Sequence, residues 1–193
     1  MKRALAGMAV CFGLAFGMTL FNIPASAQGG DSRIQRGFEL APVELNMQGK
    51  NPALVGLGSY IVNAQGGCND CHTNPPSAEG GDPFLGQPEQ INAAGYLGGG
   101  TPFGPPPPAP PFVVSRNLTP RASDGLPAGL TLAQFLEVMH KGTDFKNRHP
   151  EISPLLQVMP WPIYGKMSDR ELQAIYEFLK AIPCVGPVAR CGA

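Results

Sequence analysis

The sequence has few charged side chains and no excess of either sign. Charged residues make up 15% of the 193 residues, with 14 basic and 14 acidic side chains. Proteins that bind nucleic acid present clustered lysine and arginine on one face, and this balance offers no such surface. We therefore expect no nucleic-acid partner.

Runs of alternating apolar and polar residues, which indicate half-buried strands, are also scarce. Hydrophobic residues make up 43% of the chain, which is enough for a core, and they recur at helical spacing. Glycine (25) and proline (22) are abundant, near the level at which such content indicates loops. The sequence predicts an all-α domain with long Gly/Pro-rich loops.

The first 27 residues have the pattern of a secretory signal. Lys2 and Arg3 precede an apolar run that reaches Phe21, and residues 25–27 have the small-x-small form of a cleavage site. A membrane anchor is the alternative, because the run is nearly long enough to span a bilayer. We expect cleavage near Ala27 and a periplasmic protein with no stable membrane span. Its net charge would be −2, since the segment removes two bases and no acids.

Beyond the signal we predict an arm followed by a core domain. Residues 28–50 are polar without a clear period, which predicts an extended N-terminal arm. Residues 51–183 hold the helical segments and include a Gly/Pro-rich insertion at 73–113, in which residues 105–111 should form polyproline II. We expect the insertion to be a solvated surface loop; a strap against a binding partner is the alternative.

The last segment, residues 184–193, is a short tail that contains two cysteines. Cys184 and Cys191 flank a loop in which Gly186 and Pro187 can turn the chain. A disulfide is favoured in an exported protein, the alternative being free or intermolecular thiols. The bond would stabilise the fold by roughly 2 kcal/mol on the chain-entropy model.

Three helices are predicted, each from a capping signal followed by an apolar stripe. Their caps are Asn51, Thr131 and Ser168, with Gln134 and Glu171 in the reciprocal positions. Their ends are Gly66-Gly67, Gly142 and Pro183. Gly56 and Gly58 weaken the first helix by about 1 kcal/mol each relative to alanine. Such a cost is tolerated where another backbone or a ring comes close.

The motif Cys68-Asn69-Asp70-Cys71-His72 carries the most information. Thiols three positions apart on a helical turn point to one side, so they can add to the two vinyl groups along one edge of a porphyrin. The next histidine then lies beneath the ring. This spacing is the attachment signature of c-type haem. It predicts one covalent haem c on Cys68 and Cys71, with His72 bound to the iron.

Three other interpretations of this cysteine pair are a thioredoxin-like redox pair, half of a zinc site and a plain disulfide. A redox pair belongs in a βαβ pattern, which the sequence lacks. A tetrahedral zinc site needs four ligands, and no histidine stands at a familiar spacing from the second cysteine pair. Both observations favour haem.

An iron that only exchanges electrons usually has a second axial ligand. The candidates after the signal are Met47, Met139, Met159, Met167, His140 and His149. Met159 is favoured because it lies in a loop that Pro160 and Pro162 stiffen, and a thioether favours reduced iron. Met139 faces the core side of its helix, and both histidines stand in polar positions that we expect to be solvated.

The pattern resembles the class I cytochromes c over about residues 51–183. The resemblance rests on Gly58, Tyr60, Cys68, Cys71, His72, Met159, Pro160 and the closing helix with Tyr176. In that family the helix before the haem crosses the last helix at a glycine and an aromatic side chain. Here the resemblance implies a contact of Gly58 and Tyr60 with Tyr176 or Phe178.

More narrowly, three segments resemble haem modules of cytochrome subunits that serve periplasmic dehydrogenases. They are residues 117–120, the helix around Phe135 and residues 159–162. Those subunits often carry several haem motifs, whereas this chain has one. Arg116, beside the first segment, could pair with a haem propionate; an ordinary surface arginine is the alternative.

The resemblance implies a monohaem protein that carries single electrons and is not itself an enzyme. Its redox partners would be a dehydrogenase, another cytochrome or a terminal oxidase, in the periplasm or at the membrane. The alternative is a five-coordinate haem that senses a small ligand or reacts with peroxide. That function needs an open site on the iron, which a bound Met159 would close.

Overall fold

The computed structural model describes residues 25–105, 113–145 and 154–192, and this part of the chain is mostly helical. The helices are α1 (Ala25–Leu40), α2 (Pro52–Tyr60), α3 (Cys68–His72), α4 (Leu132–Lys141), α5 (Trp161–Tyr164), α6 (Asp169–Leu179) and α7 (Val188–Cys191). The strands β1 (Pro102–Phe103) and β2 (Val113–Val114) form one antiparallel pair. The predicted all-α architecture is confirmed, and the short strand pair is a minor feature beside the helices.

The core is organised around the crossing of α2 and α6. A Cβ atom at Gly58 would lie 1.9 Å from the carbonyl oxygen of Ala174 and 2.8 Å from the Cβ of Phe178. The helices can approach this closely only because position 58 has no side chain. The predicted contact between Gly58 and the helix α6 is therefore confirmed, with Phe178 as the aromatic residue. Tyr60 lies on the other side, beside α1.

The extended arm predicted for residues 28–50 is wrong in its first half, because α1 packs across α2. Ile34 and Phe38 are one helical turn apart and both pack on the core. Between them, Gly37 lies so close to α2 that a Cβ atom would be 1.8 Å from the carbonyl oxygen of Gly56. The apolar stripe is sparse among polar residues, so the helical period was missed; packing on α2 stabilises the helix.

The predicted helix boundaries hold at the starts and differ at one of the ends. Asn51 caps α2, and Thr131 and Ser168 form complete capping boxes at the starts of α4 and α6. Gly142 ends α4 in the left-handed conformation, as predicted. The helix α2 continues as a π-helical turn, Ile61–Gln65, so the helical stretch ends before Gly66-Gly67, as predicted. The helix α6 ends at Leu179, before Pro183.

The insertion is only partly the solvated loop that the sequence predicts. It contains two 3₁₀ turns, Pro83–Leu85 and Ala93–Gly95. Tyr96 and Leu97 follow the second turn and are buried in the core, where the Tyr96 hydroxyl donates to the side-chain oxygen of Asn63 at 2.5 Å. Apart from its first residue, the predicted polyproline segment lies outside the described residues.

The ends of the chain were predicted with different success. Cys184 and Cys191 form the predicted disulfide, with their Cα atoms 5.5 Å apart. Residues 1–24, most of the predicted signal, lie outside the described residues, so cleavage near Ala27 stays a prediction. In the described ranges, every helix is too short or too polar to cross a bilayer.

Candidate functional site

A deep cavity lies between α3, α4, α6 and the segment that precedes α5. The empty space between its walls, with the open solvent at its mouth included, is about 1400 Å³. Cys68, Cys71, His72 and Met159 all line it. Most of the remaining wall is apolar, with Ile61, Val62, Leu118, Phe135, Ile175 and Leu179. The four residues singled out in the sequence are thus brought to one apolar space.

The helical turn α3 holds the two cysteines of the motif. Their spacing of three residues sets them on one side of the turn, and both are free thiols that line the cavity. Burial, followed by the nearby Cys71, raises the pKa of the Cys68 thiol to about 12. Burial, followed by Asp70, also raises the pKa of Cys71. Both thiols are therefore protonated at neutral pH.

These properties bear on the alternative interpretations of the cysteine pair. A thioredoxin-like pair needs a thiol with a lowered pKa, whereas both pKa values here are raised. In addition, α3 follows a helix and not a strand. The described ranges contain no group of three or more His, Cys, Asp or Glu side chains suited to a metal ion. A four-ligand zinc site thus has no support there.

One ring nitrogen of His72 makes a hydrogen bond, and the other makes none in the described structure. Its Nδ1 lies 2.7 Å from the carbonyl oxygen of Arg116. A carbonyl oxygen can only accept, so Nδ1 carries the hydrogen and Nε2 keeps its lone pair. Burial is the largest cause that lowers the pKa of His72. The side chain is therefore a neutral imidazole with a fixed tautomer, the form that binds a metal.

The cavity wall also carries an ion pair that the sequence did not predict. The Arg116 guanidinium lies 2.5 Å from the carboxylate of Asp144, whose side chain is only 2% exposed. Both residues line the cavity. Arg116 is thus partly buried at the site and is not an ordinary surface arginine. A carboxylate as buried as that of Asp144 is stable only when it is paired.

Three methionines line the cavity: Met139, Met159 and Met167. Met139 is nearly fully buried on the inner face of α4, which confirms that it packs in the core. Met159 lies in an irregular segment and is partly buried. Met167 lies just before the cap of α6, and Met47 packs at the edge of the core away from the cavity. Met159 is the lining methionine that a proline follows directly.

Two side chains that follow Met159 connect this segment to the rest of the site. The indole Nε1 of Trp161 donates to the carbonyl oxygen of Leu156 at 3.2 Å, and the ring packs on Gly142. The hydroxyl of Tyr164 donates to the carbonyl oxygen of Gly66 at 2.6 Å. Tyr164 was missed in the sequence, where its only signal is a hydroxyl in an apolar, proline-rich stretch.

Of the two histidines considered as axial ligands, His140 is described by the structure, and it does not line this cavity. His149 lies outside the described residues. His140 was expected to be solvated, but its Nδ1 lies 2.9 Å from the carbonyl oxygen of Gly165 and its Nε2 lies 2.9 Å from the carboxylate of Asp169. Both partners are acceptors, so His140 donates to both in its protonated form. His140 therefore ties α4 to the start of α6, and both of its ring nitrogens face partners there.

Comparison with known proteins shows a relative that is itself a haem-protein subunit by name. No family model and no solved structure matches the chain. The chain is 31% identical over 140 residues to the gluconate 2-dehydrogenase cytochrome c subunit of Pantoea cypripedii, an alignment that covers 72% of this chain and 25% of that protein. By this match the chain is a cytochrome c. This cytochrome spans about a quarter of the length of the relative that it matches.

Membership of this family confirms the predicted fold and implies a covalently bound haem c. The cavity of the cytochrome fits such a group. It is apolar, and it presents two thiols on one helical turn, a neutral imidazole and a thioether, which is a donor set that c-type haem uses. The assignment of these four residues to the haem stays a prediction and is taken up next.

Proposed function

We propose that this cytochrome carries single electrons by means of one covalently bound haem c. Cys68 and Cys71 would form the two thioether bonds, and His72 and Met159 would be the axial ligands. The observation that supports this proposal is that all four side chains line one apolar cavity, although Met159 is far from the other three in the sequence. The haem would supply an iron that alternates between the ferric and ferrous states.

The protein's own residues would fix the ligands and exclude water. The carbonyl of Arg116 holds His72 by Nδ1, which directs the lone pair of Nε2 away from that contact. The apolar walls disfavour the more highly charged, oxidised centre, and a thioether ligand acts in the same direction. Together they favour a higher reduction potential than a solvated centre with two histidines would have.

We propose a dehydrogenase as the electron donor. The relative is, by its name, a cytochrome c subunit of a gluconate 2-dehydrogenase, and the narrower sequence resemblance points to the same class of subunit. Another cytochrome or a terminal oxidase would receive the electrons. On this proposal the chain is an electron-transfer protein and performs no bond chemistry on a substrate.

We further propose that the protein works in the periplasm. The support is the signal pattern of residues 1–27 together with the disulfide between Cys184 and Cys191, since disulfides persist in oxidising compartments. Cleavage of the signal would leave a protein that meets its redox partners outside the cytoplasm.

Optical spectroscopy of the exported, oxidised protein tests the axial ligand. We expect a methionine–iron charge-transfer band in the wild type and its loss in Met159→Ala. Met167→Ala is the matched control, because Met167 lines the same cavity, and it should keep the band. An unchanged spectrum in Met159→Ala would reject the assignment. A high-spin spectrum in the wild type would instead support a five-coordinate sensor or peroxide-reactive haem.

Mass spectrometry of the mature chain tests the attachment. One haem mass should remain bound after denaturation, because thioether bonds are covalent. Cys68→Ser together with Cys71→Ser should remove the covalent mass completely. A wild-type chain without added haem mass would overturn the proposal.

A further inference from the structure

The most exposed apolar side chains of the described structure lie in the insertion and not at the cavity. Phe84 is 94% exposed and Leu85 is 73% exposed. Both belong to the 3₁₀ turn Pro83–Leu85, which we call the knuckle. Neither side chain lines the cavity. Single exposed apolar residues are ordinary on protein surfaces, but a neighbouring aromatic and aliphatic pair at this exposure is a contiguous apolar tip.

The knuckle has a defined conformation that its flanking residues maintain. The carboxylate of Asp82 accepts a hydrogen bond from the backbone N–H of Phe84 at 2.9 Å. The side-chain oxygen of Gln87 accepts one from the backbone N–H of Asp82, also at 2.9 Å. Gly86 closes the turn in the left-handed conformation and donates to the carbonyl of Pro83 at 3.0 Å. An apolar tip fixed in this way loses little conformational entropy when it binds.

The base of the knuckle is connected to the turn that holds the haem-binding motif. The amide of Asn69, within that motif, donates to the carbonyl oxygen of Pro76 at 3.3 Å. The amide of Asn92 donates to the carbonyl oxygen of Pro75 at 3.0 Å. After Asn92, the chain returns to the core at Tyr96, which is buried. A partner seated on the knuckle is therefore held in a fixed relation to α3.

The charged side chains of the segment that contains the knuckle all have one sign. Glu79, Asp82 and Glu89 flank it, and residues 73–115 contain no lysine, arginine or histidine. The whole sequence is balanced, with 14 basic and 14 acidic side chains, so this segment is locally acidic. Acidic flanks around an apolar tip match a surface that has an apolar pocket with a basic rim.

We propose that the knuckle anchors this cytochrome to a protein partner whose apolar pocket, rimmed by lysine or arginine, receives Phe84 and Leu85. The partner is the electron-donating dehydrogenase, so this inference rests on the proposed function. The acidic flanks oppose an anionic lipid surface and a second copy of the same segment, because each would bring like charges together. Aromatic anchors in apolar pockets commonly dominate the affinity of a protein interface.

The test compares variants of the full cytochrome, with haem, produced with a tag in its native host. A photo-reactive phenylalanine analogue at position 84 identifies the contacted surface by mass spectrometry. The isolated partner then titrates the wild type, the double variant Phe84→Ser/Leu85→Ser and the double variant Glu79→Lys/Glu89→Lys. Val188→Ser is the matched control, since Val188 is a similarly exposed apolar residue, at 70%, on α7.

Loss of the apolar tip should raise the dissociation constant by about tenfold or more. Reversal of the two glutamates should raise it several-fold and reduce its salt dependence, while Val188→Ser leaves it unchanged. The crosslinked peptide should come from the dehydrogenase and contain apolar residues beside lysine or arginine. Wild-type affinity in Phe84→Ser/Leu85→Ser would overturn the inference. So would a wild type that elutes without a partner, or crosslinks only to lipid or to a second copy.

The same samples separate this inference from the proposed function. Haem content, the oxidised spectrum and haem reduction by the dehydrogenase with its substrate are measured in the wild type. If these are normal and the knuckle variant binds normally, only the docking inference fails. If the wild type carries no haem or is not reduced, the proposed function fails, and the inference fails with it.

Discussion

The two walls of the cavity are held in place by different means. The wall that carries Cys68, Cys71 and His72 continues directly from α2, which α1 and α6 both cross. Backbone groups hold it on further sides: the carbonyl oxygen of His72 accepts from the N–H of Gly99 at 2.6 Å. The cysteine wall is therefore an integral part of the core.

The wall that carries Met159 is attached to the end of α4 and not to the crossing of α2 and α6: the N–H of Leu156 donates to the carbonyl oxygen of Gly142 at 2.8 Å. The helix α5 that follows is four residues long, and its contacts include Trp161 on Gly142 and the Tyr164 hydroxyl on Gly66. We infer that the methionine wall can be displaced while the haem stays attached to the cysteine wall. Covalent attachment and axial coordination are then separable properties, and four experiments test that separation.

The largest effect is expected from Gly58→Val, which acts on the cysteine wall through the core. The new side chain would overlap the carbonyl of Ala174, because even a Cβ atom would lie 1.9 Å from its oxygen. Separation of α2 from α6 should lower the free energy of unfolding by about 3 kcal/mol or more. Chemical denaturation of the protein with haem bound measures this loss. Gly58→Ala should lose less, and equal stability of all three proteins would contradict the crossing.

A smaller and more local effect is expected from Gly142→Ala. A Cβ atom there would lie 2.4 Å from the Cε2 atom of Trp161, which must move. We expect the methionine–iron band to weaken or disappear while the covalent haem mass is kept. Gly125→Ala is the matched control, since Gly125 has a similar φ of 66° but no atom within 4 Å of the added Cβ. Both variants introduce backbone strain of about 1 kcal/mol, but only Gly142→Ala displaces Trp161. A spectral change in both variants would therefore be due to strain and would contradict displacement of the methionine wall.

This contrast also explains which features the sequence predicts well. The cysteine–histidine motif and the capping boxes at Thr131 and Ser168 are local, because their residues lie within five positions of one another. Their chemistry is fixed by spacing along the chain. The disulfide between Cys184 and Cys191 was predictable for the same reason.

The features that were missed depend on contacts between distant segments. Tyr164 and Gly66 are 98 residues apart in sequence, and Arg116 meets Asp144 across 28 residues. No periodic pattern connects such pairs. The helix α1 was missed because packing on α2 stabilises it, whereas its own apolar stripe is too sparse to indicate a helix.

A still smaller effect is expected from Tyr164→Phe, which removes one hydrogen bond and keeps the ring. The buried carbonyl of Gly66 would lose its partner, at a cost of about 1 kcal/mol. We expect imidazole or cyanide to bind the ferric haem several-fold faster, since these ligands enter when the methionine wall opens. The haem mass should be unchanged. Tyr60→Phe, on the far side of α2, is the control, and equal binding rates in all three proteins would show that the hydroxyl does not hold the wall.

The smallest effect is expected from the titration of His140, which joins α4 to α6 beside the methionine wall. The hydrogen bond to Asp169, then that to the carbonyl of Gly165, raises the pKa of His140, while partial burial and then Lys141 oppose the shift. A raised pKa in the folded state means that protonated His140 stabilises the fold fully below its unfolded pKa of about 6.5. This contribution is lost as the pH rises through the folded pKa.

Denaturation midpoints measured between pH 5 and pH 9 should therefore fall slightly more steeply for the wild type than for His140→Gln. The difference between the two proteins cancels the titration of groups that they share, His72 among them. Because His140 is 31% exposed, water screens its interaction with Asp169, and we expect only a small difference. If the wild type instead became more stable relative to His140→Gln as the pH rose, neutral His140 would be the stabilising form. The contact with Asp169 would then not be an ion pair.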